Sequence, residues 1–147
     1  MILIQADDAD ISSMIAAAKQ RTMGALVIFN GIVRDDGIEE LEIEAYEEVA
    51  RKDMEEIRAG AMAAFGLDSL DILHRIGNLS VGENILIIIA GAGHRTDAFR
   101  GCEYTLECIK ERAPFWKKEI RKNGSAWVKG NLEHARDGNP CLQHIPE

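Results

Sequence analysis

The sequence predicts an α/β (α+β) fold: a mixed sheet with helices packed on it, plus an antiparallel hairpin subdomain. Three observations carry that reading. Ile85 to Ala90 is a continuous apolar run ended by Gly91 and Gly93, as in a central strand buried on both faces. Apolar residues recur at helical spacing in three other segments. Leu41, Ile43 and Ala45 alternate with Glu42 and Glu44, and Asn123-Gly124 is a hairpin signal, so antiparallel strands with one wet face are expected as well.

The elements follow in order. Residues 1–5 read as an edge strand. Asp10 caps a helix through about Lys19, in which Ile11, Met14, Ile15 and Ala18 share a face. Residues 25–33 are apolar and β-branched, and the turn-forming Asp35-Asp36-Gly37 ends that strand. Leu41 to Ala45 is a half-buried strand with an acidic outer face. A helix runs from about Glu47 to Phe65 and stops at Gly66. Leu70 to Ile76 reads as a strand, Gly77 to Gly82 as a turn, and Ile85 to Ala90 as the central strand. The last helix spans about Asp97 to Arg112, because Pro114 forbids its continuation. Phe115 to Lys122 and Ala126 to Lys129 flank the turn Asn123-Gly124-Ser125. This order excludes a doubly wound parallel sheet. Residues 1–130 form one domain, and residues 131–147 an irregular C-terminal tail.

Composition narrows the function. A chain of 147 residues, 46% hydrophobic, can bury a single sizeable core and is not disordered. Its apolar runs fall short of a membrane span, and Met1-Ile2-Leu3-Ile4 lacks the basic start of a secretory signal. Three cysteines without a C-x-x-C pair support neither a disulfide framework nor a structural zinc site. A cytoplasmic protein with neither metal nor cofactor is expected. The net charge of −8 argues against nucleic acid, yet it is unevenly spread. Residues 1–93 carry 7 Lys/Arg against 17 Asp/Glu, whereas residues 94–122 carry 8 against 5. A localised anion site and a solvated, salt-bridged face both fit that pattern.

Three segments could carry chemistry. Arg34 ends the strand Phe29-Asn30-Gly31-Ile32-Val33, either as a plain strand-end charge or as a guanidinium placed for a carboxylate or phosphate. His94 and Arg95 follow Gly91-Ala92-Gly93 at a helix start, where free backbone N–H groups attract anions; a helix capped by Thr96 or Asp97 is the simpler alternative. Lys110 lies at the border of the apolar face of the last helix, about 100° round from Ile109. Beyond Pro114, strand alternation separates Phe115 and Lys117 from Trp116 and Lys118. Lys110 and Lys117 can then converge on one pocket, each ammonium depressing the pKa of the other. Lysine runs are also commonly solvated. The remaining candidates are weaker. Cys102 and Cys108 are set about 240° apart on one helix and cannot pair. Cys141 falls in the tail, and His74, His134 and His144 show no ligand spacing.

Together these segments resemble the large, catalytic subunit of molybdopterin synthase. The matching stretches are Gly24–Arg34 (GALVIFNGIVR), Leu41–Ala50 (LEIEAYEEVA), His74–Glu83 (HRIGNLSVGE) and, between His94 and Glu119, HRTDAF followed by IKERAPFWKKE. The resemblance spans roughly residues 20–131. It implies a homodimer at the core of a heterotetramer, with a small ubiquitin-like sulfur-carrier subunit docked at each end. The C-terminal Gly-Gly of that partner carries a thiocarboxylate. The implied reaction converts cyclic pyranopterin monophosphate to molybdopterin by inserting two sulfurs. By the same resemblance Lys110 and Lys117 are the catalytic pair, and Phe29, Arg34, His94 and Arg95 bind substrate. Some family members place an arginine after the last strand for the dimer mate's pocket, where this chain offers Lys129. A non-catalytic module that only holds the ubiquitin-like partner is the alternative, as is a phospho-metabolite enzyme that works without a protein partner.

Overall fold

The structure, a computed structural model, describes residues 1–128 and Cys141. Residues 129–140, Lys129 among them, and 142–147 lie outside the described residues. The first sheet holds four strands in the order β1 (Ile2–Gln5), β4 (Ser69–Arg75), β6 (Asn84–Ala92) and β2 (Ala25–Ile32). β1 and β4 are parallel, and the other pairs are antiparallel. The second sheet is antiparallel throughout, ordered β5 (Gly77–Ser80), β3 (Glu40–Ala45), β7 (Phe115–Arg121) and β8 (Gly124–Trp127). A mixed sheet and an antiparallel subdomain were the expected pieces, and both are present.

Helices cover both faces of the first sheet. α1 (Ile11–Ala18) starts where the Asp10 carboxylate accepts the Ser13 N–H at 3.1 Å, and it lays Met14 and Ala18 on Leu73, Ile87 and Ile89. α2 (Glu47–Phe65) and α3 (Arg95–Arg112) cover the opposite face, where Met54, Ile57, Cys102 and Ile109 meet Leu70, Ile72, Ile88 and Ala90. α2 stops at Gly66, whose φ of 60° is the left-handed conformation in which glycine is least strained. Between these layers β6 is buried on both faces, which is why Ile85–Ala90 is apolar without alternation.

Four expectations are corrected. The segment read as a turn at Gly77–Gly82 contains strand β5, which pairs with β3 over Glu40–Ile43; short polar strands carry little periodicity. The final hairpin turns one residue early: Arg121 faces Gly124, so Lys122-Asn123 is the loop and Gly124 takes a φ of 137°. α3 begins at Arg95, with His94 in the cap position and no side-chain cap, so neither Thr96 nor Asp97 caps it. Finally, Cys108 is disulfide-bonded to Cys141, 33 residues away, and both are buried. Helical spacing excludes a 102–108 pair but carries no information about a cysteine arriving from a distant segment. Cys141 is therefore packed on α3, not loose in a tail.

Candidate active site

The site forms where α3 hands the chain to β7. The last turn of α3 exposes Lys110, and the Ala113 N–H closes the helix on the Ile109 carbonyl at 3.1 Å. Pro114 then redirects the chain, its carbonyl accepting the Tyr46 N–H at 3.3 Å. β7 lies between β3 and β8, with Lys117 opposite Ile43 and half-buried. Alternation puts Trp116, 51% exposed, and Lys118 on the other face, where the Lys118 ammonium sits 5.3 Å from the Trp127 ring centre. Burial holds the Lys117 ammonium below the ordinary lysine range, and the charge of Lys110 lowers it further. Two lysines from different elements thus share one electrostatic environment.

The neighbouring floor is a row across the first sheet. His74 on β4 pairs with Leu86 on β6, which pairs with Gly31 on β2. A Cβ on Gly31 would lie 3.2 Å from the Phe29 ring, so the missing side chain leaves that ring its place. His74 is 3% exposed and stacks flat on Phe115, with ring centres 3.6 Å apart and planes 6° apart. Its Nδ1 is 2.8 Å from the Arg75 carbonyl oxygen. Burial, helped by the nearby charge of Lys117, pushes the His74 imidazole down to about 4. A search for ligand spacing passes over this residue, because its partner comes from the other sheet.

Phe29 is half-buried on β2, and Arg34 lies just past that strand. The Arg34 side chain is 83% exposed, with Nε 2.9 Å from the Asp36 carboxylate. An exposed pair of this kind is weak, so an incoming anion can compete for the guanidinium. The loop behind it is tied to β7: Arg121 donates to the Asp36 carbonyl at 2.8 Å, and the Glu39 N–H to the Ile120 carbonyl at 2.8 Å.

His94 and Arg95 are elsewhere. Both are exposed at the start of α3, where no side chain caps the helix. Fifteen residues of helix put about 22 Å between Arg95 and Lys110. One chain therefore does not bring all six candidate residues together.

Cys102 is the free cysteine among the described residues, and burial pushes its thiol up to about 11. The described residues hold no cluster of three or more His, Cys, Asp or Glu that could bind a metal ion, and no helix long and apolar enough to cross a membrane.

Comparison with known proteins places this architecture in a family. The family model described as MoaE protein matches residues 4–112, and the chain belongs to that family. Among its relatives, the molybdopterin synthase catalytic subunit of Pyrococcus abyssi is 40% identical over 129 residues, covering 85% of this chain and 87% of the relative. The protein of the same name from Mesorhizobium japonicum is 38% identical, covering 86% and 84%. The crystal structure of molybdopterin synthase from Staphylococcus aureus superposes with a TM-score of 0.81 at 35% identity, covering 86% of this chain and 96% of that one. A complex of subunits 1 and 2 of molybdopterin-converting factor from Helicobacter pylori superposes at 0.75 and 25% identity, covering 88% and 91%.

Proposed function

We propose that this chain is the large, catalytic subunit of a cytoplasmic molybdopterin synthase and acts as a sulfurtransferase. It converts cyclic pyranopterin monophosphate to molybdopterin with sulfur from the thiocarboxylated C-terminus of a small ubiquitin-like subunit. Each thiocarboxylate carries one sulfur, so two are consumed per product. The observation that carries this reading is the Lys110–Lys117 pair. An ammonium whose pKa is lowered by burial and by a like charge releases its proton more readily than an ordinary lysine, and can give or take a proton at the reacting carbon. The neighbouring ammonium attracts the anionic tail of the partner. Phe29 offers an apolar ring to the flat pterin, and Arg34 a guanidinium to an anionic group.

His94 and Arg95 bind the substrate phosphate at the exposed start of α3, a fitting place for a phosphate ester. Their distance from Lys110 supports a site shared between two copies of the chain, one supplying the lysines and the other the phosphate-binding end. The names of the relatives and the two-subunit complex from Helicobacter pylori support the partner. A module that merely held the partner would not account for a half-buried ammonium held next to a second one. The test is single-turnover dithiolene formation by the purified chain with thiocarboxylated small subunit and cyclic pyranopterin monophosphate. Product appears with all three components and not when the thiocarboxylate is replaced by a carboxylate; failure with all three removes the assignment.

A further inference from the structure

His74 has no role in the chemistry above, yet it is built into the same corner of the molecule. It lies in the row His74–Leu86–Gly31, on the sheet face that Leu70 and Ile72 share with α2 and α3. A backbone carbonyl can only accept, so the contact with the Arg75 carbonyl places a hydrogen on Nδ1 of His74. The neutral ring then presents its flat face to Phe115. Phe115 is the first residue of β7 and sits between the two lysines in the chain, five residues after Lys110 and two before Lys117. Strand alternation puts Phe115 and Lys117 on one face, about 6.7 Å apart. Two backbone bonds hold the same corner, Phe115 N–H to the Ala113 carbonyl at 2.9 Å and Tyr46 N–H to the Pro114 carbonyl.

We infer that His74 is the positioning residue of the lysine pair: an uncharged ring that clamps Phe115 and so fixes the depth of Lys117 and its approach to Lys110. Two features of the ring suit this task. Its stacking contact sets a distance without adding charge. Its buried position keeps it neutral, so the two lysines gain no third positive neighbour. The charge of Lys110 from α3 lowers the pKa of the Lys117 ammonium, and the buried His74 ring from β4, itself within reach of the Lys117 charge, adds none. The inference deepens the function proposed above and rests on it only for the meaning of the lysine pair, not for the clamp.

The test follows the Lys117 titration midpoint in the full chain, through its isotope-labelled lysine Cε resonance. His74→Ala removes the clamp, and Lys117 becomes better solvated and less close to Lys110. Its midpoint should rise toward 10.5. His74→Phe keeps a flat ring on Phe115 and should keep the wild-type midpoint. A folded His74→Ala protein with an unchanged midpoint overturns the inference, as does a folded His74→Phe protein whose midpoint moves up like that of Ala. Should the Ala variant not fold, the Phe variant decides alone by the same criterion. Turnover separates the two claims. A raised midpoint with unchanged turnover keeps His74 as the clamp and removes Lys117 from the chemistry.

Discussion

The Lys117 ammonium feels the charge of Lys110 although a helix end, Pro114 and a strand start separate the two residues in the chain. Solvated lysines seven residues apart would normally point away from one another into water. Here the chain reverses at Pro114, and β3 and β8 hold β7 in place from both sides. The second lysine is thereby turned inward at the cost of part of its hydration.

Removing Lys110 separates chemistry from assembly. Lys110→Ala should slow turnover by at least about a hundredfold, the usual scale for a lost acid–base group. The fold should persist, because Lys110 is exposed, and turnover is read at saturating small subunit. In the same variant the Lys117 midpoint should rise, since its burial remains and the like charge is gone. Turnover within a few-fold of wild type would exclude Lys110 from the mechanism.

Arg95 tests the shared site. Arg95→Ala should weaken substrate binding by about 10- to 100-fold, the range for a charge-assisted contact, and should not affect an analogue lacking the phosphate. At a substrate concentration that fills wild-type sites but not Arg95→Ala sites, mixing Arg95→Ala and Lys110→Ala chains should restore about a quarter of the sites, because half the dimers are mixed and each has one intact site. No recovery in mixed dimers isolated by differential tagging would contradict a site built from two copies.

Much of this arrangement was legible in the residues themselves. Helix α2 with its Gly66 stop and the doubly buried Ile85–Ala90 follow from local pattern, whereas alternation set Lys117 opposite Trp116 without fixing which of the two faces turns inward. Contacts between distant segments were not. The flat pairing of His74 with Phe115 joins two sheets, and the Cys108–Cys141 bond spans 33 residues; neither leaves a local pattern. Strand β5 escaped for a different reason, since Gly77-Asn78-Leu79-Ser80 is too short and polar to show a period. The separation of Arg95 from Lys110 needed only the length of the helix, once its ends were known.

Acid should destabilise the fold through His74. Its imidazole titrates at about 4 in the folded chain against 6.5 ordinarily, so between those values the unfolded chain binds the extra proton. This contribution to stability is complete above pH 6.5 and is lost as pH falls to 4, amounting to about 3 kcal/mol. Urea unfolding of wild type and His74→Phe across that range isolates the effect. Parallel pH dependences in the two proteins would refute it.

The cysteines should matter for stability and not for sulfur delivery. Both sulfurs of the Cys108–Cys141 bond are buried, and breaking it should cost about 2–4 kcal/mol by freeing the intervening loop of the unfolded chain. Cys102 is a buried apolar thiol with its pKa raised, the opposite of an activated nucleophile. The triple change Cys102→Ala, Cys108→Ser, Cys141→Ser should melt earlier but still form dithiolene with thiocarboxylated partner. A folded triple variant that forms none would demand a cysteine relay.

Lys117 is the half-buried member of the pair, and its loss tests the proposed chemistry most directly. The decisive measurement is the single-turnover rate of dithiolene formation by Lys117→Ala, loaded with thiocarboxylated small subunit and cyclic pyranopterin monophosphate. The complex should form and the rate should fall by at least about a hundredfold. An intact complex that forms dithiolene at the wild-type rate would show that the lysine pair does not carry the reaction.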